Sequence, residues 1–263
     1  MSETPDTRAA RLRTQAEAGP RLSEAAFRTR SRRSFLTGGA AALAGVLGWR
    51  WVLGMETDGR IPRLLRSSHE FNEAMWQSLY RPGALAPTFA DARSAMPRVN
   101  GMYGLRSPLD ADAWRLHVRG PDGQLVDTLD LDAIRRLPRV GLTTELKCIE
   151  GWSQIVHWTG TRFSDVAARY DRALTDLPYV GLATPDGGYT VGMDRASMMH
   201  PQTLLGYGMQ GETLTAAHGA PLRLVTPLKY GVKHLKRIGT IQFMAARPTD
   251  FWAERGYDWY LGH

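Results

Sequence analysis

The feature that most limits the possible folds is a series of short strand-like runs from residue 114 onward. Apolar and alternating runs recur at 114–118, 142–149, 179–183, 189–193, 204–209, 221–226 and 238–243. Dipeptides such as Asp186-Gly187 supply turns between such runs. Helical patterns in the same region are few and short, at 131–137 and 164–170. Strands outnumber helices, so we predict an α+β fold with a strand-rich, mixed or antiparallel sheet.

Serines mark the expected starts of two helices. Ser164 is the expected N-cap of 164–170, and Ser67 and Ser68 open a helical pattern that ends at Pro82-Gly83. We interpret residues 55–96 as a linker that contains this one short helix, followed by a main domain over residues 97–263.

The positive charge is concentrated at the N-terminus. The formal net charge is +7, but residues 1–33 hold eight arginines against four acidic residues and so account for +4 of it. The remainder is close to neutral, and we predict no nucleic-acid partner. Residues 1–30 are poor in large apolar side chains, which predicts a disordered basic leader.

The segment 31-SRRSFLTGGAAALAGVLGWRWVLG-54 resembles a twin-arginine export signal. Arg32 and Arg33 precede an apolar run rich in Gly and Ala, and such signals carry proteins that have already folded around a cofactor. No clear cleavage site follows Val52. We therefore expect a periplasmic domain anchored by an uncleaved segment, residues 35–53. The alternative is a basic tail before a surface helix.

Cys148 is the only cysteine, so the chain has no internal disulfide and depends on its core for stability. A lone cysteine is often a buried structural residue. A zinc site is improbable because no second cysteine or paired histidine lies nearby. A cysteine hydrolase would combine Cys148 with His157 or His218 and a carboxylate such as Glu150.

Two long segments narrow these alternatives. The first is 147-KCIEGWSQIVHWTG-160, and the second, residues 199–243, contains in order His-Pro, Gly-Ala-Pro-x-Arg, Pro-x-Lys-Tyr-Gly and Lys-x-Ile. Together they resemble the sulfite-oxidase-type molybdopterin oxidoreductases over roughly residues 97–245. The resemblance implies that family's fold and molybdopterin-bound molybdenum (Mo-molybdopterin) as the cofactor. It also makes Cys148 the single protein ligand to the metal.

The resemblance also assigns cofactor-binding positions. By position in the motifs, the family's pterin contacts fall on Asn100, Tyr103, Gly104, Thr184, His218, Arg223, His234, Leu235 and Lys236. Tyr189 falls where the sulfite oxidases have an active-site tyrosine, although taken alone it is an ordinary strand residue. A basic cluster suits the cofactor's phosphate, with a solvated face or an RNA-binding patch as alternatives; it comprises Arg223, Lys229, Lys233, His234, Lys236 and Arg237.

The substrate class follows from two positions where the sulfite oxidases carry arginines. Here they are Ser153 and Val99, which disfavours an oxyanion substrate. The sequence Cys-x-Glu-x-Trp-Ser instead resembles the methionine-sulfoxide-reductase branch, and it implies a catalytic role for Glu150 beside Trp152. We expect oxygen-atom transfer that reduces a sulfoxide. The alternatives are a sulfite-oxidase-like dehydrogenase and a cofactor-free binding protein.

Electron supply is expected from a separate protein. The sequence has neither Cys-x-x-Cys-His nor a flavin motif, so we expect a monomer that exchanges electrons with a membrane or soluble haem protein. The aromatic tail 251-FWAERGYDWYLGH-263 has three open interpretations: a cap over the pocket, a docking segment, or ordinary packing.

Overall fold

The computed structural model describes residues 23–58, 61–81 and 83–262. The chain divides into two compact units, Met1–Met55 and Glu56–His263. The strands are β1 (Thr57–Asp58), β2 (Ile61–Pro62), β3 (Leu116–Arg119), β4 (Leu125–Leu129), β5 (Val140–Lys147), β6 (Ser153–Arg162), β7 (Tyr179–Ala183), β8 (Thr190–Asp194), β9 (Leu204–Met209), β10 (Glu212–Thr213), β11 (Arg223–Val225) and β12 (Thr240–Met244). The α-helices are α1 (Glu24–Leu53), α2 (Arg63–Leu79), α3 (Leu131–Arg135), α4 (Phe163–Ala167), α5 (Arg172–Thr175) and α6 (Arg195–Met198). Four 3₁₀ turns cover Asp91–Arg93, Ala216–His218, Gly231–Lys233 and Ala253–Arg255.

The first unit contains α1. This helix begins after Ser23, whose Oγ accepts a hydrogen bond from the Ala26 backbone N–H at 3.2 Å, and it has no buried residue. Residues 24–30 are therefore helical, whereas the sequence predicted a disordered leader up to residue 30; residues 1–22 lie outside the described residues. Among the described helices, α1 is the one long and apolar enough to cross a membrane, a property that signal sequences share.

The second unit contains two five-stranded sheets and a short β1–β2 hairpin. In the first sheet the order is β10-β9-β6-β5, and β11 also pairs with β9, all antiparallel. In the second the order is β4-β3-β12-β7-β8, where only the β3–β12 pair is parallel. The sheets are thus mixed and the helices short, which confirms the predicted strand-rich α+β fold.

The main core joins both sheets. All six residues of β9 are buried, and Leu205 packs in one cluster with Leu116 of β3 and Phe243 of β12. A strand that is buried on both faces shows a continuous apolar run instead of alternation, as 204-LLGYGM-209 does.

The structure also contains strands that the sequence patterns did not predict: β4, β6 and the two-residue strands β1, β2 and β10. The longest described strand is β6, which follows the cysteine motif, pairs with β5 from Ser153 to Gly160 and pairs with β9 towards its end. Two predicted serine caps are wrong. The helix α4 begins at Phe163 with no side-chain cap, and Ser67 lies inside α2, where its Oγ donates to the Arg63 carbonyl four residues earlier.

Residues 56–96 belong to the same compact unit as the main domain, whereas the predicted boundary was at residue 97. The helix α2 has 17 residues and a buried glutamate, Glu73, which forms an ion pair with Arg247. The extended stretch that follows exchanges hydrogen bonds with the domain: the Gln202 side-chain amide both accepts from and donates to the Ala86 backbone, at 2.7 and 2.9 Å. These contacts make the segment a part of the domain.

Candidate functional site

A cavity of about 300 Å³ opens at the end of the β5–β6 hairpin. Its size is at the lower end of the usual range for small-molecule and cofactor sites. The lining residues come from four parts of the second unit: Pro97, Arg98, Asn100, Gly101 and Tyr103; Leu146, Cys148, Ile149, Glu150 and Trp152; Tyr189, His218, Arg223, Gly231, Val232, His234 and Lys236; and Trp252 and Tyr257.

The hairpin positions Cys148 in this cavity. Strand β5 ends at Lys147, and residues 148–152 form a tight loop before β6. The Cys148 N–H donates to the Trp152 carbonyl at 2.8 Å, and the Gly151 N–H donates to the Cys148 carbonyl at 3.1 Å. Gly151 has φ +88°, a left-handed conformation that favours glycine. The loop presents a mostly buried thiol at the cavity surface.

A small polar network surrounds the thiol. The Asn100 side-chain amide donates to Glu150 Oε2 at 3.2 Å and lies 3.7 Å from Cys148 Sγ. The Trp152 indole N–H donates to the same Glu150 oxygen at 3.1 Å. These donors fix the orientation of the Glu150 carboxylate next to Cys148.

A cationic group forms another part of the cavity. The buried Arg223 guanidinium donates to the His218 carbonyl at 2.9 Å and stacks over Trp158. Burial lowers the pKa of Arg223 to about 10, and burial with the charge of Arg223 lowers the pKa of Lys236 to about 8. The pKa of His218 is also lowered, mainly by burial and then by Lys236 and Arg223. The positive charges repel each other and favour an anion in the cavity.

These residues fit an anionic cofactor that brings its own metal ligands. The buried Nε of Arg223 has no hydrogen-bond partner among the described residues, which marks a donor available to a phosphate. Within the described residues, no group of three or more His, Cys, Asp and Glu side chains could hold a metal ion. A single thiolate cannot hold a metal alone, so a metal at Cys148 needs ligands from the cofactor.

Three of the predicted cofactor contacts do not line the cavity. Leu235 is fully buried in the core, and its carbonyl accepts from the Leu224 N–H. Gly104, with φ +71°, packs against Thr184, where a Cβ would collide with the threonine side chain. The Thr184 hydroxyl donates to Asp186 at 2.6 Å. A cofactor role for these three residues remains a prediction.

The other predicted residues meet in the cavity, and the contacts of two of them are informative. Tyr189 donates its hydroxyl hydrogen to the Val232 carbonyl at 2.6 Å, and burial followed by the charge of Asp250 raises its pKa. His234 lines the cavity while its Nε2 lies 2.8 Å from the Thr226 carbonyl. Tyr189 therefore stays an uncharged phenol that holds the 231–233 turn.

Sequence patterns missed several lining residues. Arg98 stacks over Trp152, with its guanidinium carbon 4.4 Å from a ring centroid, whereas Val99 is exposed. Ser153 is exposed at the start of β6 and bonds Glu145 instead of facing the cavity. Trp252 and Tyr257 show that the aromatic tail reaches the cavity, for which its composition was the available signal.

For the predicted alternative of a cysteine hydrolase, neither proposed histidine base is hydrogen-bonded to the Cys148 thiol in the described part of the chain, although His218 lines the same cavity. His157 is not among the lining residues, and its Nδ1 lies 2.7 Å from the Thr143 hydroxyl and 3.0 Å from Asp91. The polar group nearest the thiol in the hydrogen-bond network is an amide donor, Asn100 Nδ2.

The strand-rich fold and the cationic cavity with one thiol agree with an oxidoreductase domain of the molybdopterin-binding class. The model of the family "oxidoreductase molybdopterin binding domain" matches residues 104–252, and the chain belongs to this family as a molybdenum-dependent oxidoreductase. Among curated relatives, a putative protein-methionine-sulfoxide reductase subunit, YedZ1 from Azospira oryzae, is 33% identical over 88% of this chain and 86% of its own length.

Other relatives are protein-methionine-sulfoxide reductase catalytic subunits named MsrP. Those from Xanthomonas campestris pv. campestris and Ralstonia nicotianae are 34% and 31% identical over 55% and 53% of this chain. The chain spans about half the length of these MsrP relatives, 49% and 46%. A solved structure, the sulfane dehydrogenase SoxCD from Paracoccus pantotrophus, aligns with a TM-score of 0.48 at 18% identity, covering 54% of this chain and 40% of that one.

Proposed function

We propose that this chain reduces a sulfoxide, of the methionine-sulfoxide type, to a thioether by oxygen-atom transfer at molybdenum. The observation that carries the proposal is the cavity itself, which brings the Cys148 thiol, the oriented Glu150 carboxylate and the Arg223–Lys236 cations together with an aromatic lining. The names of the relatives support the same substrate class.

Cofactor binding is assigned to the cationic side of the cavity. Arg223 and Lys236 would hold the phosphate, His218 would hydrogen-bond the pterin, and Cys148 would ligate the metal. When bound, Mo-molybdopterin would supply the two-electron redox chemistry that oxygen-atom transfer requires. Reduction of a sulfoxide to a thioether consumes two electrons and two protons and releases water.

Glu150 is the proposed proton carrier. Among the described residues that line the cavity it is the one carboxylate, and hydrogen bonds from Asn100 and Trp152 hold its Oε2. A carboxylate fixed near the reacting oxygen can deliver the protons that leave as water. The aromatic side chains Tyr103, Trp252 and Tyr257 exclude water and suit a neutral substrate.

Export and electron supply are part of the proposal. The apolar helix α1 carries Arg32 and Arg33 and would act as a twin-arginine signal and anchor, which places the catalytic unit in the periplasm. Electrons would come from a separate haem protein. The phrase "catalytic subunit" in the names of the MsrP relatives supports a second subunit that would supply these electrons.

A paired assay of the holoenzyme tests the substrate. With a reduced viologen dye as donor, we expect methionine sulfoxide to be reduced, and with ferricyanide as acceptor we expect no sulfite oxidation. Oxidation of sulfite without reduction of methionine sulfoxide would refute the proposal.

Sulfite oxidation is a second candidate because Arg98 lines the cavity. A guanidinium there could bind a small oxyanion, which the absence of arginine at residues 99 and 153 had disfavoured. The variant Arg98→Gln separates the two functions. It should keep kcat/KM for methionine sulfoxide within about twofold of the wild type. If Arg98 binds an oxyanion, KM for sulfite should rise about tenfold or more.

A further inference from the structure

The C-terminal segment supplies the aromatic part of the cavity lining. Trp252 and Tyr257 line the cavity, with ring centroids 5.2 Å apart. Trp252 also lies edge-on to Tyr103, with centroids 6.0 Å apart. Phe251 packs on Tyr103 and Tyr189 at 4.6 and 5.1 Å. These five rings form one contiguous cluster, called here the aromatic wall.

One buried carboxylate holds the backbone that carries Trp252. Asp250 is 3% exposed, and its Oδ1 accepts hydrogen bonds from the backbone N–H groups of Trp252 at 3.1 Å and Ala253 at 3.0 Å. This arrangement, in which an aspartate bonds the N–H groups two and three residues later, fixes the turn that follows it. The direction of the Trp252 side chain therefore depends on Asp250.

The second oxygen of Asp250 ties this turn to the other side of the cavity. Asp250 Oδ2 accepts from Lys233 Nζ at 2.7 Å and from the Gly192 N–H at 3.1 Å. Lys233 is 1% exposed and belongs to the Gly231–Lys233 turn, which also lines the cavity. The ion pair is fully buried, so removing one partner would leave a costly unpaired charge.

We propose that Trp252 is a specificity-determining residue that binds the apolar substituent on the substrate sulfur, and that Asp250 is the residue that positions it. The inference rests on the proposed sulfoxide reduction. The substrate class is a sulfoxide with a bulky apolar or aromatic substituent, because an aromatic wall binds apolar groups and thioether sulfur and offers nothing to a small polar molecule.

The first experiment compares two sulfoxides in the full-chain holoenzyme. The substrates are dimethyl sulfoxide and methyl p-tolyl sulfoxide, and rates are expressed per bound molybdenum. In Trp252→Leu we expect KM for the tolyl substrate to rise about tenfold while its kcat stays within about twofold, and we expect a much smaller change for dimethyl sulfoxide. Trp252→Phe should retain most of the selectivity.

The matched control is Trp259→Phe. Trp259 is a buried tryptophan of the same tail that packs on Tyr179 and does not line the cavity. We expect its selectivity ratio, kcat/KM for the tolyl substrate over kcat/KM for dimethyl sulfoxide, to equal that of the wild type. The assignment would be overturned if Trp252→Leu changed kcat/KM equally for both substrates, or if Trp259→Phe changed the selectivity ratio as much as Trp252→Leu does.

The positioning role of Asp250 needs variants without a stranded lysine charge. Lys233→Met combined with Asp250→Asn keeps a side-chain oxygen for the Trp252 and Ala253 N–H groups, whereas Lys233→Met with Asp250→Ala removes it. We expect the double variant with Asp250→Asn to keep the selectivity ratio within about twofold of the wild type. In the double variant with Asp250→Ala the ratio should fall about tenfold, because KM for the tolyl substrate rises. Equal ratios in the two double variants would show that Asp250 positions nothing.

Failure of the two proposals can be distinguished. If the wild-type holoenzyme reduces neither of these two sulfoxides nor methionine sulfoxide, the proposed function is wrong, and this inference falls with it. If it reduces methionine sulfoxide but neither of the two, the proposed function stands and only the inference is overturned. If the wild type reduces both and the ratio is unmoved in Trp252→Leu, the proposed function stands and only the inference is overturned.

Discussion

Arg223 is the residue whose environment says most about what the cavity binds. A fully buried guanidinium without a carboxylate partner among the described residues costs several kcal/mol of desolvation unless a ligand compensates it. Such a residue destabilises the empty protein and stabilises the loaded one. This desolvation cost indicates an anionic ligand independently of the family resemblance.

The variant Arg223→Met should lower cofactor content without lowering the stability of the chain. Loss of a charge-assisted hydrogen bond, about 1.5–3 kcal/mol, weakens cofactor binding about tenfold or more. The melting temperature of the cofactor-free chain should stay equal or rise, since a buried charge is removed. Elemental analysis of molybdenum and thermal unfolding measure the two effects.

The matched control is Arg237→Met. Arg237 is also buried, but it donates to the Ser107 carbonyl and does not line the cavity. Its molybdenum content per folded chain should match the wild type. Equal losses in the two variants would remove Arg223 from the cofactor site.

Site residues that stand in recognisable motifs could be predicted from the sequence more readily than residues whose orientation depends on the path of the backbone. Cys148, Glu150, Asn100 and Lys236 stand in recognisable motifs and do line the cavity. Arg98 could not be predicted, because the motif position that suggests an arginine is its neighbour, residue 99. Only the backbone path decides which of the two side chains turns inward.

Strands with a continuous apolar run were the easiest to place. Strand β9 has the bounds that its apolar run predicts, and β7 likewise. Strand β6 was missed because its sequence, SQIVHWTGTR, begins with two polar residues and then two apolar ones and so lacks a two-residue alternation. The start of α2 was missed because serines within a helix can bond the backbone four residues earlier and so resemble caps only in sequence.

The C-terminal tail packs on a buried lysine, Lys229, which predicts a pH dependence of stability. Lys229 Nζ lies 2.9 Å from the Tyr260 ring centroid, and burial lowers its pKa to about 7, opposed by Asp194. An unfolded lysine titrates near about 10.4, so between these pH values the unfolded chain binds one more proton than the folded chain. The Lys229 contribution to stability therefore rises with pH across this window.

Thermal unfolding from pH 7 to pH 9.5 should show this rise. The melting temperature of the wild type should rise relative to that of Lys229→Met as the pH increases. Tyr260, whose pKa is raised to about 12 mainly by burial, does not ionise in the folded chain in this range. Parallel curves for wild type and Lys229→Met would contradict the account.

At the scale of the whole molecule, the chain combines an exposed apolar helix with a catalytic unit that must hold a cofactor. The sequence predicted an apolar segment that ends at residue 54 and a linker over residues 55–96, whereas the structure groups residues 56–96 with the second unit. The helix begins at Glu24, and the second unit begins at Glu56. The reason is that composition marks apolar segments, whereas the contacts of residues 56–96 with the domain involve single hydrogen bonds and one buried ion pair that composition does not reveal.

Export can be tested with two pairs of conservative substitutions. Arg32→Lys with Arg33→Lys should leave most of the protein in the cytoplasm, because the arginine pair of such a signal is read by a receptor and charge alone is not sufficient. The control pair, Arg28→Lys with Arg30→Lys, lies in the same helix and should be exported like the wild type. Cell fractionation with immunodetection gives the result; normal export of the first pair would exclude a twin-arginine route.

X-ray absorption at the molybdenum K-edge measures whether the Cys148 thiolate ligates molybdenum in this cavity. We predict about three sulfur ligands per molybdenum in the wild type, two from the cofactor and one from Cys148. In Cys148→Ser we predict about two, with the fold retained and turnover abolished. An unchanged sulfur count in Cys148→Ser, at equal molybdenum content, would contradict ligation by Cys148.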